Sequence, residues 1–164
     1  MIYEPQEDSF LLQKYVRKFA KGRVLDMGTG SGIQALTALE KTPDVLAVDI
    51  SDDAVRLLKG KGVNAKVSNL FSKVDGKFDL IIFNPPYLPP DRYDKDISTS
   101  GGIKIVDRFL SQAKKFLNKD GKVLLVFSSL TGDVDSLLKK YSYKFECLES
   151  KGYFFEKLFV YLLE

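Results

Sequence analysis

The stretch that decides the fold is residues 23–49, RVLDMGTGSGIQALTALEKTPDVLAVD. Arg23 to Met27 is a short apolar run interrupted by one carboxylate, Asp26, and it predicts a buried strand. Gly28-Thr29-Gly30-Ser31-Gly32 breaks that run, Ser31 to Lys41 carries helical spacing, and Val45 to Asp49 is a second apolar run ending in an acid. Strand, glycine turn, helix and strand make a parallel unit, because parallel neighbours require a crossover between them.

The same alternation continues on both sides. Toward the start, Glu7 to Ala20 sets Phe10, Leu11, Tyr15, Val16 and Phe19 near helical spacing, and Lys21-Gly22 supplies the stop. Toward the end, Ser51-Asp52-Asp53 reads as an N-cap and acidic first turn for a helix through Lys59. A short strand Val63 to Val67 follows, then a strand Phe78 to Phe83, a helix Ile103 to Leu117, a strand Lys122 to Phe127 and a helix Asp133 to Lys140. Tyr143 to Leu148 and Phe154 to Leu163, turned at Gly152, read as a closing antiparallel pair. The expected fold is therefore α/β: a mostly parallel, doubly wound sheet of seven strands with an antiparallel terminal strand and helices on both faces. Residues 1–164 are expected to form one domain, since a chain of this length supports one core and is too short for two full ones. Leu88 to Gly102 is the one long loop, and loops of that length usually carry function.

Composition narrows the chemistry. The chain is 45% hydrophobic and 29% charged, without tryptophan or histidine, as expected of a protein that folds. No apolar run approaches the roughly 20 residues needed to span a bilayer, and MIYEPQEDSF is acidic where a signal peptide would be basic, so a cytoplasmic location is expected. The single cysteine, Cys147, excludes an internal disulfide and is expected as a small core residue. Without histidine the usual hydrolytic triads and most zinc sites are unavailable, so no metal site is expected and the work falls to carboxylates, amides, tyrosines and backbone groups. The net charge of +3 comes from scattered lysines, without the basic stripe of a nucleic-acid footprint.

In open sheets of this class ligands bind beyond the carboxyl ends of the strands. The unusual residues fall there. After the first strand, Asp26 and the G-x-G-x-G turn holding Gly28 and Gly30 let a ligand lie against the backbone, and this spacing favours a nucleoside with an amino-acid tail over a dinucleotide. After the second, Asp49 can accept hydrogen bonds from ribose hydroxyls. After the third, Asn69 offers an amide to an adenine amine while Leu70 and Phe71 cover its ring. Each feature alone has a plainer explanation, a tight corner or a helix cap; together, at successive strand ends, they indicate a nucleoside site.

The fourth strand ends in Asn84-Pro85-Pro86-Tyr87. Proline lacks an N–H and has a fixed φ, so this corner is stiff and exposes oxygens that it cannot satisfy itself. A planar –NH2 group fits: its two hydrogens can bond the Asn84 side-chain oxygen and the Pro85 carbonyl, Tyr87 can pack against its plane, and its nitrogen is aimed at an electrophile. Such a nitrogen is a weak nucleophile, so a strong alkylating cation such as S-adenosylmethionine is the matching partner.

These residues resemble the class I S-adenosylmethionine-dependent methyltransferases with their Rossmann-like fold, and within them the HemK-like glutamine methyltransferases of translation release factors. Tyr3-Glu4-Pro5-Gln6-Glu7-Asp8-Ser9-Phe10-Leu11-Leu12 is similar to the YEPxEDSFLL opening of the archaeal and eukaryotic branch. The resemblance implies that residues 1–21 form a helical segment over the cofactor, that Ser9, Asp26, Gly28, Gly30 and Asp49 contact it, and that Asn84, Pro85 and Tyr87 clamp the acceptor. Gly101-Gly102 to Asp107-Arg108-Phe109 is similar to a segment that shapes the active-site wall, and reads equally as a helix start. Asn69 stands where aspartate is common. Bacterial members carry a further N-terminal helical domain for the release factor, and without its counterpart the substrate is expected to be gripped by the Leu88 to Gly102 loop or by a partner. The resemblance implies a small zinc-binding activator subunit on an exposed sheet edge, for which the outermost strand Val63 to Val67 is the candidate, though Lys66 there is also a common guard against pairing.

The expected reaction is N5-methylation of the glutamine in the Gly-Gly-Gln loop of a class 1 release factor, with S-adenosylhomocysteine as product. Adenine-N6 or guanine-N2 methylation of DNA or RNA uses the same kind of corner and is the alternative, followed by lysine methylation of a protein.

Overall fold

Apolar runs that alternate sides of a sheet need cover on both faces, and the chain supplies it. The computed structural model describes residues 2–86 and 102–164; Tyr87 and the Leu88 to Gly101 part of the expected long loop lie outside the described residues. The elements are α1 (Glu7–Phe19), β1 (Val24–Met27), α2 (Ile33–Leu39), β2 (Val45–Asp49), α3 (Asp52–Gly60), β3 (Ala65–Val67), β4 (Phe78–Phe83), α4 (Gly102–Ala113), β5 (Leu117–Ser128), α5 (Val134–Lys140), β6 (Phe145–Gly152) and β7 (Lys157–Leu163).

The seven strands form one sheet in the order β3-β2-β1-β4-β5-β7-β6. The pairs from β3 through β5 are parallel, and β7 runs antiparallel to both of its neighbours. The switch point falls between β1 and β4, which puts the carboxyl ends of those two strands at one crevice with the end of β2 beside them. Alternate residues of each strand feed two cores. Leu25, Met27, Ile81, Phe83, Val123 and Leu125 pack beneath α4 and α5, whereas Val24, Leu80, Ile82, Leu124 and Val126 pack beneath α1 to α3. Three of the largest fully buried side chains are phenylalanines, Phe78, Phe83 and Phe109, each worth roughly 1.5–3 kcal/mol of apolar transfer. Among the described residues no helix is long and apolar enough to cross a membrane.

Three sequence expectations are corrected. The helix after the long loop ends at Ala113, passes through one 3₁₀ turn at Lys114–Phe116, and β5 starts at Leu117 rather than Lys122. The register moves from Phe78↔Leu117 to Leu80↔Lys122, so Asn118 to Gly121 bulge out of the ladder, which is why they read as a turn. The C-terminal hairpin turns at Tyr153–Glu156 rather than at Gly152, closed by the Tyr153 N–H donating to the Glu156 carbonyl at 2.7 Å, and Phe154 and Phe155 sit in the turn rather than in a strand. Cys147 is exposed, because β6 is the outer strand at one flank of the sheet.

Candidate active site

The β1 corner is held by its acid. Asp26 is buried, and its Oδ2 accepts from the Thr29 hydroxyl at 2.6 Å and the Ala35 N–H at 3.0 Å. Burial pushes its carboxyl up to about 7; those two hydrogen bonds pull it partly back, and the nearby Asp49 charge pushes it further up. Thr29 N–H donates to the Val48 carbonyl at 3.0 Å, locking the turn to β2. Gly30 has φ +52°, and the nearest group to the space where its Cβ would stand is the backbone oxygen of Tyr3 at 3.9 Å. The N-terminal segment therefore passes directly over the glycine turn. Gly28, at φ +65°, is exposed beside the Phe83 ring.

At the end of β2 the Asp49 carboxylate is fixed by backbone: Oδ2 accepts from Gly30 N–H at 2.9 Å and Oδ1 from Ser51 N–H at 2.8 Å. It remains partly exposed, and each oxygen keeps acceptor capacity after these two bonds. Ile50 follows it with 71% exposure, an open apolar side chain that sequence reasoning missed.

At the end of β3, Asn69 is exposed and its Oδ1 accepts from the Arg108 guanidinium of α4 at 3.2 Å. Leu70 is buried with φ +49°, a strained conformation for leucine, and the Ser68 hydroxyl clamps its carbonyl at 2.6 Å. Phe71 does not cover a ligand ring as expected: it is buried, stacked on Phe109 and Phe116 with centroids 5.5 and 4.5 Å away. The aromatic stack of the core claims it.

The β4 corner meets α1. Asn84 Nδ2 donates to Asp8 Oδ2 at 2.8 Å, while Asp8 Oδ1 accepts from the Tyr3 hydroxyl at 3.1 Å and the Ser9 hydroxyl at 3.4 Å. Asp8 is only 3% exposed and lies in the first turn of α1, where the helix N-terminus favours its negative charge. Burial, and next the Asp8 charge, hold the Tyr3 phenol far above its ordinary value. Because a carboxylate only accepts, the bond fixes the Asn84 amide: one of its N–H groups is engaged by Asp8, and its Oδ1 is turned the other way. That Oδ1 is buried and has no partner among the described residues. A second buried acceptor, Gln34 Oε1, is likewise unpaired, and Gln34 Nε2 donates to the Ser9 carbonyl at 2.8 Å. Pro85 is buried and Pro86 exposed, while Tyr87 lies outside the described residues.

The structure thus brings Ser9, Asp26, Gly28, Gly30, Asp49 and Asn84 to one crevice, with Asn69 and Leu70 on its α4 side. Asp8, Tyr3 and Gln34 were missed. Two orphaned carbonyl-type acceptors beside an open glycine turn call for a ligand rich in N–H donors, and an amino-acid-tailed nucleoside together with a primary amide meets that demand.

Comparison with known proteins agrees with this geometry. A protein of Methanocaldococcus jannaschii named protein N5-glutamine methyltransferase is 36% identical over 179 residues, covering 97% of this chain and 89% of its own length. A release factor glutamine methyltransferase of Buchnera aphidicola is 28% identical over 165 residues, covering 85% of this chain, which spans 60% of that longer protein. In fold, the chain matches the E. cuniculi Mtq2–Trm112 complex responsible for methylation of the eRF1 translation termination factor, with a TM-score of 0.77 at 24% identity over 99% of this chain and 98% of that one. Residues 6–155 match the model of the methyltransferase small domain, and the chain belongs to that family.

Proposed function

We propose that this methyltransferase transfers a methyl group to the side-chain amide nitrogen of the glutamine in a release factor's Gly-Gly-Gln loop. The observation that carries this is the buried Oδ1 of Asn84, which has no partner among the described residues and is oriented by the Nδ2 bond to Asp8. A glutamine –NH2 satisfies it, with the second N–H left for the Pro85 carbonyl, and the nitrogen is then held in line at a fixed height above the crevice. Bound S-adenosylmethionine supplies an electrophilic methyl group and leaves as S-adenosylhomocysteine. Asp49, Gly28, Gly30 and Ser9 hold that donor, with Asp26 beneath, Asn69 and Leu70 beside, and Asn84 at the junction of donor and acceptor. Pro85 and Pro86 stiffen the clamp, and Tyr87 is assigned the role of packing against the acceptor amide. The described residues act as one domain, with residues 2–21 roofing the crevice.

The relatives' names support the acceptor: a glutamine nitrogen in one and a termination factor in another. Glu7, exposed in the first turn of α1 beside the clamp, repels phosphate and counts against a nucleic-acid acceptor. A small zinc-binding activator pairs with the outer flank of β3, whose odd residues point their backbone groups away from β2: Ala47 N–H bonds the Asn64 carbonyl and Ser68 N–H the Asp49 carbonyl, leaving Ala65 and Val67 outward. Acting on a translation factor places the enzyme in the cytoplasm.

The test is methyl transfer from labelled donor to release factor, oligonucleotides and lysine peptides, with and without activator, the product being located by mass spectrometry. The expected result is label on the Gly-Gly-Gln glutamine, lost in Asn84→Ala while donor affinity stays within a few-fold. Label on a nucleobase or lysine, or undiminished transfer by Asn84→Ala, overturns it.

A further inference from the structure

Helix α1 carries both Ser9, assigned to the donor, and Asp8, which holds Asn84, so its setting along its own axis decides two sites at once. Apolar contacts have no direction and do not fix such a setting by themselves. On its sheet side α1 rests on contacts of that kind, with Leu11, Leu12, Tyr15 and Val16 in the core. Toward α2 it does not. Ser9, Gln13 and Arg17 recur at every fourth position and stand one above another on α1. They meet Gln34, Thr37 and Glu40 of α2 and its cap: Gln34 Nε2 donates to the Ser9 carbonyl at 2.8 Å, Gln13 Nε2 to Thr37 Oγ1 at 3.0 Å, and Arg17 Nε to Glu40 Oε2 at 3.2 Å. Thr37 spends its own hydrogen on the Ile33 carbonyl at 2.7 Å, so it can only accept from Gln13. These rungs run from the crevice end, where Gln34 is 4% exposed, to the far end, where Arg17 and Glu40 are open to solvent.

An exposed ion pair contributes little, which leaves the buried rung as the one that holds. As a packing residue Gln34 is a poor choice: its Oε1 is buried with no partner among the described residues, a cost that leucine or methionine would not incur. What the amide adds is direction, and fixing register is the best-attested use of a buried polar group. Its partner is the backbone of Ser9, in the same first turn as Asp8, and its own helix continues from the glycine turn whose Gly30 N–H bonds Asp49. We propose that Gln34 is a positioning residue: it sets the height of α1 against the glycine-turn helix, so that Ser9 meets the donor and Asp8 meets Asn84 in one arrangement. Without it the first turn of α1 can shift or lift while the core beneath keeps the rest of the helix attached. This rests on the donor placement proposed above and adds how the donor and acceptor sites are kept in step.

Gln34→Leu and Gln34→Met are compared with wild type in measurements that need no turnover. Hydrogen exchange of the Phe10 amide, whose N–H donates to the Gln6 carbonyl at 3.0 Å, reads opening of the first turn and is expected to speed up by about three- to tenfold. The side-chain amide resonances of Asn84, identified by their loss in Asn84→Ala, are expected to move in the direction that Asp8→Ala moves them, although the Gln34 bond goes to neither side chain. Calorimetry with S-adenosylhomocysteine is expected to show affinity weaker by about threefold or more. Thermal melting of the unliganded variants is expected to stay level or rise, since an unpaired buried acceptor is removed. Thr37→Val, one rung farther from the crevice, is expected to change each readout less, and Glu40→Gln to change none. Unchanged Phe10 exchange, or Asn84 resonances or S-adenosylhomocysteine affinity that stay at wild-type values, overturns the proposal. So does a fall in melting temperature in both Gln34 variants that tracks the loss of affinity, or an equal effect from Glu40→Gln, because either assigns Gln34 to stability alone. An Asp49→Ala protein that binds S-adenosylhomocysteine as wild type does defeats the donor placement instead, and Phe10 exchange and the Asn84 resonances, measured without ligand, still decide the role of Gln34.

Discussion

Replacing Asp8 by alanine tests the central device most sharply. In the structure the Asp8 carboxylate accepts one Asn84 amide N–H, with Nδ2 at 2.8 Å, and so leaves Oδ1, in the proposed reading, to the acceptor. A hydrogen bond to a charged acceptor contributes about 1.5–3 kcal/mol. Without it, the amide gains the flipped orientation, which opposes an NH2 to the acceptor's NH2 and cannot bind it. If the bond supplies the whole bias, losing it changes the ratio of the two orientations by about 10- to 100-fold at about 1.4 kcal/mol per decade, which takes the productive orientation from nearly all of the population to about half. The expected outcome is a kcat about twofold lower, with donor affinity within threefold. Stability should fall only modestly, by about 0.3–1 kcal/mol for the lost first-turn charge. Asp8→Asn keeps an oxygen for Asn84 and should be intermediate; Tyr3→Phe removes only the neighbouring bond at 3.1 Å and should lower kcat least. The assay is single-turnover transfer to release factor at saturating donor, with calorimetry for donor binding. An Asp8→Ala enzyme with undiminished kcat, or one lowered more than tenfold, would refute the reasoning.

The buried Asp26 predicts a pH slope. Its carboxyl, raised by burial from 3.8 to about 7, binds a proton in the folded state that the unfolded chain has lost. Its contribution is therefore full below about pH 4, falls as pH rises and is gone above about pH 7. Between pH 5 and 7 denaturant unfolding should show the wild type losing about 2–3 kcal/mol relative to Asp26→Asn, and parallel curves would contradict this. Gly32→Ala places a Cβ 2.1 Å from Leu58 Cδ2 at φ +85°. The leucine tip can yield but the backbone cannot, so a loss of about 1–3 kcal/mol is expected in thermal melts. Val67→Pro removes an outward N–H of β3 while leaving its bonds to β2, and should abolish co-purification with the activator without altering donor binding.

Much of this architecture is legible in the residues because a doubly covered sheet writes its strands as apolar runs: β2 and β4 carry the bounds the sequence implies, Val45–Asp49 and Phe78–Phe83. Where the reading failed, local pattern and tertiary demand diverged. Phe154 and Phe155 have strand-like chemistry but sit in a turn, and Phe71 follows a strand end but is drawn into the stack with Phe109 and Phe116. Cys147 lies in a strand with one flank open. Asp8 was overlooked because its partner stands 76 positions away. A signal was present nonetheless: Asp8 falls on the stripe of α1 that carries Leu11, Leu12, Tyr15 and Val16, and a carboxylate on the buried side of a helix needs a partner.

The two flanks of the sheet are treated unequally. On β6, Glu149 is engaged by Lys14 at 2.7 Å and by the Tyr15 hydroxyl at 2.6 Å, and a register slip between Cys147 and Glu149 distorts the outer ladder. β3 is three residues long, its guard Lys66 drawn aside to the Lys73 carbonyl and Asp75. A short, undistorted flank opposite a distorted one limits stray self-assembly: two copies meeting β3 to β3 consume both of the receptive surfaces in a two-fold pair, which closes on itself rather than growing a fibre.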